Sequence, residues 1–320
     1  METCLTRSNN RGNSDTVLHH TAKAVVSMPK IPKTIHYVFG MAADFGGKPW
    51  GLVHHACVMS AIHHIQPDNI LFHYEFEPRG PWWELTKPYL TLMRRKAPTE
   101  IFGNPLLHVA HRAGVVRLQS LIEHGGIYLD ADVLVHRSFD DILRFSTVLG
   151  REGEVGEFGM ADAVILAEKS SPFLMRWLGE YQWFRSKGRD EYWAEHAVEV
   201  PGRLAEQHPS ELHVLPYTAF FWPLWTTTHL EWIFRSTNPI PPGAYANHLW
   251  EARAWEYFED LTPGEVRRVD SNFHRWIQPY IQELPSGFGK PSLSKRVYKQ
   301  YRKTRSGIGI QVKRLLSRSM

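Results

Sequence analysis

The sequence predicts an α/β fold built on a mostly parallel sheet, and three observations carry that prediction. Short apolar runs rich in β-branched and aromatic residues alternate with longer stretches of helical periodicity between residues 34 and 251, the pattern of βαβ units. One of these runs, HGGIYLDADVLVH at 124–136, is apolar up to Asp130-Ala131-Asp132 and apolar again after it. In such sheets, ligands bind beyond the carboxyl ends of the strands. The third observation is capacity: 320 residues with 43% hydrophobic and 22% charged content are enough for one large core.

The elements follow in order. Residues 1–29 are polar and broken by Gly, Asn and Ser. They are expected to be disordered and hold no apolar stretch of signal-peptide length. TIHYVFG (34–40) reads as a first strand ended by glycine, WGLVHHACVMSAIHHI (50–65) as a helix and ILFHYEF (70–76) as a second strand. PWWELTKPYLTLMRR (81–95) reads as a helix interrupted at Pro88, and EIFG (100–103) as a short strand. HVAHRAGVVRLQSLIEHGG (108–126) sets Val109, Val115, Val116, Leu118, Leu121 and Ile122 mostly on one helical face and closes on Gly125-Gly126, a helix stop. The Asp-bearing strand follows at once, with Val133–Val135 expected to continue it. Then come ADAVILAE (161–168, strand), PFLMRWLGEYQWF (172–184, helix), DEYWAEHAVEVPGRLAEQH (190–208, helical around Pro201), LHVLP (212–216, strand) and AYANHLWE (244–251, strand). No repeat or linker divides the body, so residues 30–289 are expected to form one domain with inserted helices.

From Lys290 onward there are ten Lys/Arg and no acid. The rest of the chain is net acidic, so the pI of about 9.0 belongs to the tail, and the body is not expected to bind nucleic acid. Within the tail (290–320), IGIQVKRLL mixes apolar and basic residues as interfacial segments do. No apolar run reaches the length of a membrane span. The chain is therefore expected to be cytoplasmic, with peripheral membrane contact through the tail; a solvated charge run is the alternative. With only Cys4 and Cys57, a structural disulfide is not expected.

Two carboxylates one residue apart project to the same side of an extended chain. They repel and resist burial, so a divalent cation, an arginine or water must accompany them. Hard cations such as Mg²⁺ or Mn²⁺ take carboxylates together with substrate phosphates. Two Asp at a strand end therefore suit a metal that clamps a diphosphate. His54-His55 and His63-His64 lack the i, i+4 spacing of a zinc pair and read as surface residues.

LIEHGGIYLDADVLV resembles the Asp-x-Asp region of glycosyltransferase family 32 and the catalytic domain of the large clostridial glucosylating toxins, and KIPKTIHYVFG resembles the family's opening strand. The resemblance covers roughly residues 30–168 well. It implies a GT-A fold with a Rossmann-like sheet, and a metal-dependent, configuration-retaining transfer. The donor would be a UDP- or GDP-sugar, with Mn²⁺ or Mg²⁺, and the acceptor a hydroxyl on a glycan, lipid or small metabolite. Asp130 and Asp132 would reach the metal and the nucleotide-sugar, Asp132 coordinating directly. Tyr128 would lie near the donor. Phe39 would stack on the base, a core strand residue being the alternative. Arg117 would contact the donor sugar or diphosphate. Relatives keep an Asp three residues before that Arg; here the position is Gly114, which leaves Asp162 or His111 to hold the sugar. In YANHLWE (245–251), His248 is the candidate third ligand and Trp250 the candidate donor of an indole N–H to a phosphate; a His248 bonded to a backbone carbonyl is the alternative. Two other functions stand beside this one. A haloacid-dehalogenase-type phosphatase shares the strand-plus-Asp-x-Asp pattern of IYLDADVLV, but there the pair normally follows the first strand. A non-catalytic nucleotide-sugar-binding protein is suggested by Gly114.

Overall fold

The computed structural model describes residues 28–240 and 243–290. The disorder expected before residue 28 and the basic tail after residue 290 lie outside the described residues. The first half runs β1 (Thr34–Val38), α1 (Leu52–Ile65), β2 (Asn69–Tyr74), α2 (Pro81–Thr86), β3 (Thr91–Arg94), a small hairpin of β4 (Glu100–Ile101) and β5 (Asn104–Pro105), α3 (Val109–His124) and β6 (Gly126–Leu129). Next come β7 (Val133–Val135), β8 (Thr147–Arg151), β9 (Met160–Ala167), α4 (Pro172–Glu180), a π-turn at Glu195–Glu199, α5 (Val200–Gln207) and β10 (His213–Leu215). The described residues end with α6 (Thr227–Arg235), β11 (Ala246–His248), α7 (Glu251–Phe258), α8 (Pro263–Val266) and α9 (Asn272–Ile277).

Seven strands form the central sheet in the order β10-β8-β9-β6-β1-β2-β3. Every neighbouring pair is parallel except those made by β9, which is antiparallel to both β6 and β8. This is the mostly parallel α/β sheet that the sequence predicts. Alternate residues enter two cores: Ile127 and Leu129 point to one and Tyr128 to the other, as do Val164 and Leu166 against Ile165 and Ala167. With helices over both faces, the strands read as continuous apolar runs rather than alternating ones.

Four expectations need correction. The helix of 81–95 stops at Thr86, because Pro88 lacks an N–H and disfavours a helical residue before it; Thr91–Arg94 is instead the edge strand β3. Val133–Val135 does not continue β6. Val133 N–H bonds Asp130 O at 3.0 Å, closing a turn, and β7 leaves the sheet to pair antiparallel with β11. The strand expected over 244–251 is short, because α7 begins at Glu251. His54 and His55 are buried rather than exposed: His54 Nε2 lies 2.8 Å from Glu251 Oε1, and His55 Nδ1 lies 3.0 Å from Thr86 Oγ1.

The entry to β6 is fixed by glycine and histidine. Gly126 has φ 123°, and a Cβ there would lie 2.3 Å from Thr34 O, so no other residue lets β6 close on β1. His36 Nε2 donates to Gly125 O at 2.9 Å, and His36 Nδ1 accepts from His73 Nε2 at 3.0 Å. As an acceptor at Nδ1 and a donor at Nε2, His36 is neutral in this relay. Burial pushes His36 down to about 4, His73 to about 3, and His55 and His136 each to about 4. All four lie below the unfolded value of about 6.5. Their contribution to stability is therefore complete above pH 6.5 and is lost as pH falls, because the unfolded chain takes up protons that the folded one refuses. Urea unfolding between pH 7 and pH 5 is expected to show stability falling by up to about 1.4 kcal/mol per pH unit for each histidine. His73→Gln is expected to lower the slope by one proton; a flat profile would contradict the assignment.

Candidate active site

The Asp-x-Asp segment sits where β6 leaves the sheet. Asp130 N–H makes the last bond to β9, at Ala163 O (2.8 Å), and the turn that follows gives the two carboxylates different surroundings. The Asp130 side chain keeps 26% exposure, whereas that of Asp132 keeps 10%. The β7–β11 ribbon sets His248 opposite Val133, beside Asp132 despite the distance along the chain. Asp132 Oδ2 lies 3.3 Å from His248 Nε2 and accepts Glu251 N–H at 2.7 Å, while Asp132 O accepts Leu249 N–H at 3.0 Å. Trp250, between those two donors, has φ 57° and ψ 47°. That left-handed conformation costs a non-glycine residue on the order of 1 kcal/mol, and it lets the chain turn both N–H groups onto one aspartate.

Asp130, Asp132 and His248 each present one ligand atom, all within 4.8 Å of one another. Burial alone would raise the Asp132 carboxyl, but His248, the Glu251 N–H and His54 pull it down to about 2, so it is a carboxylate. Burial alone would lower His248, but Asp132, Asp130 and Glu152 hold it above its ordinary value. The His248 Nδ1 atom is buried without a hydrogen-bond partner among the described residues.

Behind Asp130 lies a second charged layer. The Arg117 Nη1 donates to Asp162 O at 2.7 Å and lies 2.9 Å from Asp162 Oδ2, while Nη2 lies 3.4 Å from Asp130 Oδ1. The guanidinium stacks 4.5 Å over the Tyr128 ring, and Tyr128 OH donates to Asp130 Oδ1 at 2.5 Å. Burial works against the guanidinium charge, but Asp130 and Asp162 outweigh it. One cation does not fully serve two carboxylates: burial, only partly offset by Arg117, pushes Asp162 up to about 6. Arg117 and Tyr128 are 6% and 1% exposed. They sit between α3 and the sheet, where they hold Asp130 rather than face the cleft.

A cleft of about 340 Å³ opens in front of the cluster. Phe39 and Phe45 line it and stack with centroids 5.8 Å apart. Phe39 also packs edge-on against Trp50 at 5.1 Å, so it is both a core residue and a wall of the cleft. Lys48, Arg189 and Arg253 bring positive charge. They come from three separate loops or helix starts and carry no shared sequence signal. Trp250 lines the cleft with its ring, but its indole N–H donates to Pro223 O at 2.8 Å and is not free for a phosphate. His111 is turned away, its Nε2 3.3 Å from Trp193 O. At Gly114 a Cβ would lie 3.1 Å from Tyr181 OH, so a tyrosine hydroxyl fills the space that an aspartate would need.

Arg117→Met is expected to destabilise the protein by about 2–3 kcal/mol by removing the buried cation between two half-buried carboxylates, with Asp162→Asn recovering part of the loss in a double-mutant cycle of urea unfolding. Gly114→Asp is expected to cost about 1–3 kcal/mol through overpacking. Tyr181→Phe relieves part of that cost if the hydroxyl is the obstacle; no relief in thermal unfolding would place the obstacle elsewhere.

The family described as "Glycosyltransferase sugar-binding region containing DXD motif" matches residues 69–149. Glucan organizing enzyme 1 of Cryptococcus neoformans var. grubii serotype A (strain H99) is 37% identical over 263 residues, covering 78% of this chain and 71% of that protein. The uncharacterized protein At4g19900 of Arabidopsis thaliana is 29% identical over 147 residues, covering 42% of this chain and 22% of that protein. Among solved structures, PaToxG glycosyltransferase is similar with TM-score 0.39 and 15% identity, over 78% of this chain and 88% of that one. The bifunctional glycosyltransferase WbbM is similar with TM-score 0.45 and 10% identity, over 81% and 51%. The match to the first of these relatives, with the Asp-x-Asp turn inside the matched region, sets the phosphatase reading aside: the chain belongs to the glycosyltransferases whose sugar-binding region contains the DXD motif.

Proposed function

We propose that the cleft binds a nucleoside-diphosphate sugar through a divalent cation held by Asp130, Asp132 and His248, and transfers the sugar to a hydroxyl with retention of configuration. The single observation that carries this reading is the convergence of two carboxylates and an imidazole within 4.8 Å in a cleft with aromatic and cationic walls. The donor set fits the ion: oxygen ligands with one imidazole suit Mn²⁺ or Mg²⁺ and leave positions for phosphate oxygens and water. When bound, such an ion neutralises negative charge on the departing diphosphate.

The chain's own groups do the rest. Phe39 and Phe45 offer an aromatic surface to a UDP or GDP base. Lys48, Arg189 and Arg253 stand within the cleft for the phosphates. Arg117 and Tyr128 fix the Asp130 carboxylate from behind. In the proposed step the bond from the anomeric carbon to the diphosphate oxygen breaks, and the bond to the acceptor oxygen forms on the same face. The acceptor proton passes to the leaving diphosphate, so no protein nucleophile is required. Residues 30–289 act as one catalytic domain.

No helix among the described residues is long and apolar enough to cross a membrane. We propose peripheral contact between residues 290–320 and anionic membranes on charge alone, since each Lys or Arg near such a surface contributes on the order of 1 kcal/mol. Sedimentation with anionic liposomes, with and without those residues, tests this; equal pelleting of both proteins would dismiss it.

Asp132→Asn keeps an oxygen for Glu251 N–H while removing the charge. Calorimetry with UDP and GDP is expected to show wild-type binding strengthened about tenfold or more by Mn²⁺, and the variant insensitive to it while still folding cooperatively at a lower thermal midpoint, because the charge opposite His248 is lost. Wild-type affinity that is indifferent to Mn²⁺ would overturn the metal role.

A further inference from the structure

Single exposed apolar side chains are ordinary on a folded chain, but three large ones gather at one place here. β4 and β5 are joined by a two-residue turn, Phe102-Gly103, with φ 50° and 81°. Both positions are left-handed, a conformation that Asn-Gly accepts readily and a bulky aromatic residue does not. Packing does not explain the phenylalanine, because Phe102 is 62% exposed. Leu107, two residues after the hairpin, is 59% exposed, and Trp183 is 69% exposed. Asn104 of the hairpin donates to Tyr181 O at 3.0 Å and to Gln182 O at 2.9 Å. Those bonds hold the hairpin against the short helical turn that ends in Trp183. Among the described residues, neither the Phe102 ring nor the Trp183 ring has a ring contact or hydrogen bond.

The support beneath is firm. Ile101 before Phe102, Leu106 before Leu107 and Phe184 after Trp183 are all buried, and Leu106 N–H bonds Thr99 O at 2.7 Å. Each outward side chain is thus fixed by an inward neighbour.

The surrounding charge is positive. Residues 94–112 hold four Lys/Arg and one acid, Glu100, and residues 181–189 hold three Lys/Arg and no acid. Lys96, Lys187 and Arg189 are exposed and form no ion pair among the described residues. Asp190, next along the chain, is turned onto its own loop, accepting from Ser186 Oγ at 2.7 Å and from Lys187 N–H at 2.6 Å. Glu195 is taken by Arg185 at 2.6 Å. Glu100 and Glu191 are the exposed acids of these segments.

Protruding apolar tips among unpaired cations suit a partner that is apolar inside and anionic at its face. A second copy of this chain would set like charges against each other. An anionic lipid surface offers acyl chains to the tips and phosphates to the cations, and a tryptophan is favoured at that boundary because its ring is apolar and its N–H polar.

We propose that Phe102, Leu107 and Trp183 insert at the headgroup–acyl boundary of an anionic membrane, with Lys96, Lys187 and Arg189 against its headgroups. His108, Val109 and Arg189 line the candidate cleft, so this attachment brings the mouth of the cleft to the lipid surface. The proposal depends neither on the donor reading nor on the basic tail.

The test is sedimentation of the full chain with vesicles of phosphatidylcholine with and without phosphatidylserine, at low and high salt. The wild type is expected to bind the anionic vesicles and to keep part of that binding at high salt. The double variant Phe102→Asn/Trp183→Gln is expected to bind about tenfold or more weakly. Its thermal midpoint is expected to hold or rise, because asparagine suits the left-handed turn. Leu107→Ser gives a second reading should the double variant not fold, and is expected to weaken binding severalfold. Lipid brominated in its acyl chains is expected to quench tryptophan fluorescence in the wild type. Trp183→Phe is expected to stay bound while losing much of that quenching. Equal pelleting of the wild type, the double variant and Leu107→Ser would overturn the proposal, as would quenching unchanged in Trp183→Phe. Self-association in sedimentation velocity without lipid, abolished in the double variant, would assign the patch to a second copy and overturn it too. Weakened pelleting in the double variant, with no change on removing residues 290–320, defeats the tail reading and leaves the patch standing.

Discussion

A carboxylate on a side chain only 10% exposed is tolerated only where hydrogen bonds and opposite charge replace water, and the architecture around the candidate site answers that demand at Asp132. Its Oδ2 takes Glu251 N–H at 2.7 Å and faces His248 Nε2 at 3.3 Å, and its carbonyl takes Leu249 N–H. All three partners come from the strand-to-helix junction of β11 and α7. The C-terminal third of the chain is thereby tied to the end of β6, and the left-handed Trp250 is the geometric consequence. The same tie creates the ligand cluster: without the β7–β11 pairing, His248 has no reason to stand beside the Asp-x-Asp turn.

Much of the first half was legible from local pattern. The alternation of strands and helices, the Gly125-Gly126 stop and the Asp pair at a strand end rest on periodicity and backbone geometry, which a short window contains. Phe39, Asp130, Asp132 and His248 were singled out and do line one cleft. What was not legible depends on distant partners. The burial of His54 and His55 follows from Glu251 and Thr86, far away along the chain. The turn at Asp130 that sends β7 out of the sheet is visible only once β11 is there to receive it. The resemblance implies donor contacts for Arg117 and Tyr128; both instead pack behind Asp130, where the Arg117 guanidinium stands between Asp130 and Asp162. Lys48, Arg189 and Arg253 converge from unrelated segments, and no local pattern announces them.

Charge is unevenly spread around the cluster. Lys48, Arg189 and Arg253 line the cleft walled by the stacked Phe39 and Phe45, where the proposed diphosphate would lie, and the ligand atoms of Asp130, Asp132 and His248 converge beside them. In the proposed transfer, charges fixed in place before the reaction would stabilise the charge that develops on the leaving group.

The central claim is that β11 delivers His248 to the Asp130–Asp132 turn to complete a cation site. Anomalous diffraction from crystals soaked with Mn²⁺ and UDP or GDP tests it most directly. The account predicts a peak about 2.0–2.3 Å from Asp132 and from His248, with diphosphate oxygens completing the shell. A Mn²⁺ peak held by other residues, or nucleotide seated in the cleft with no Mn²⁺ at this cluster, would contradict it.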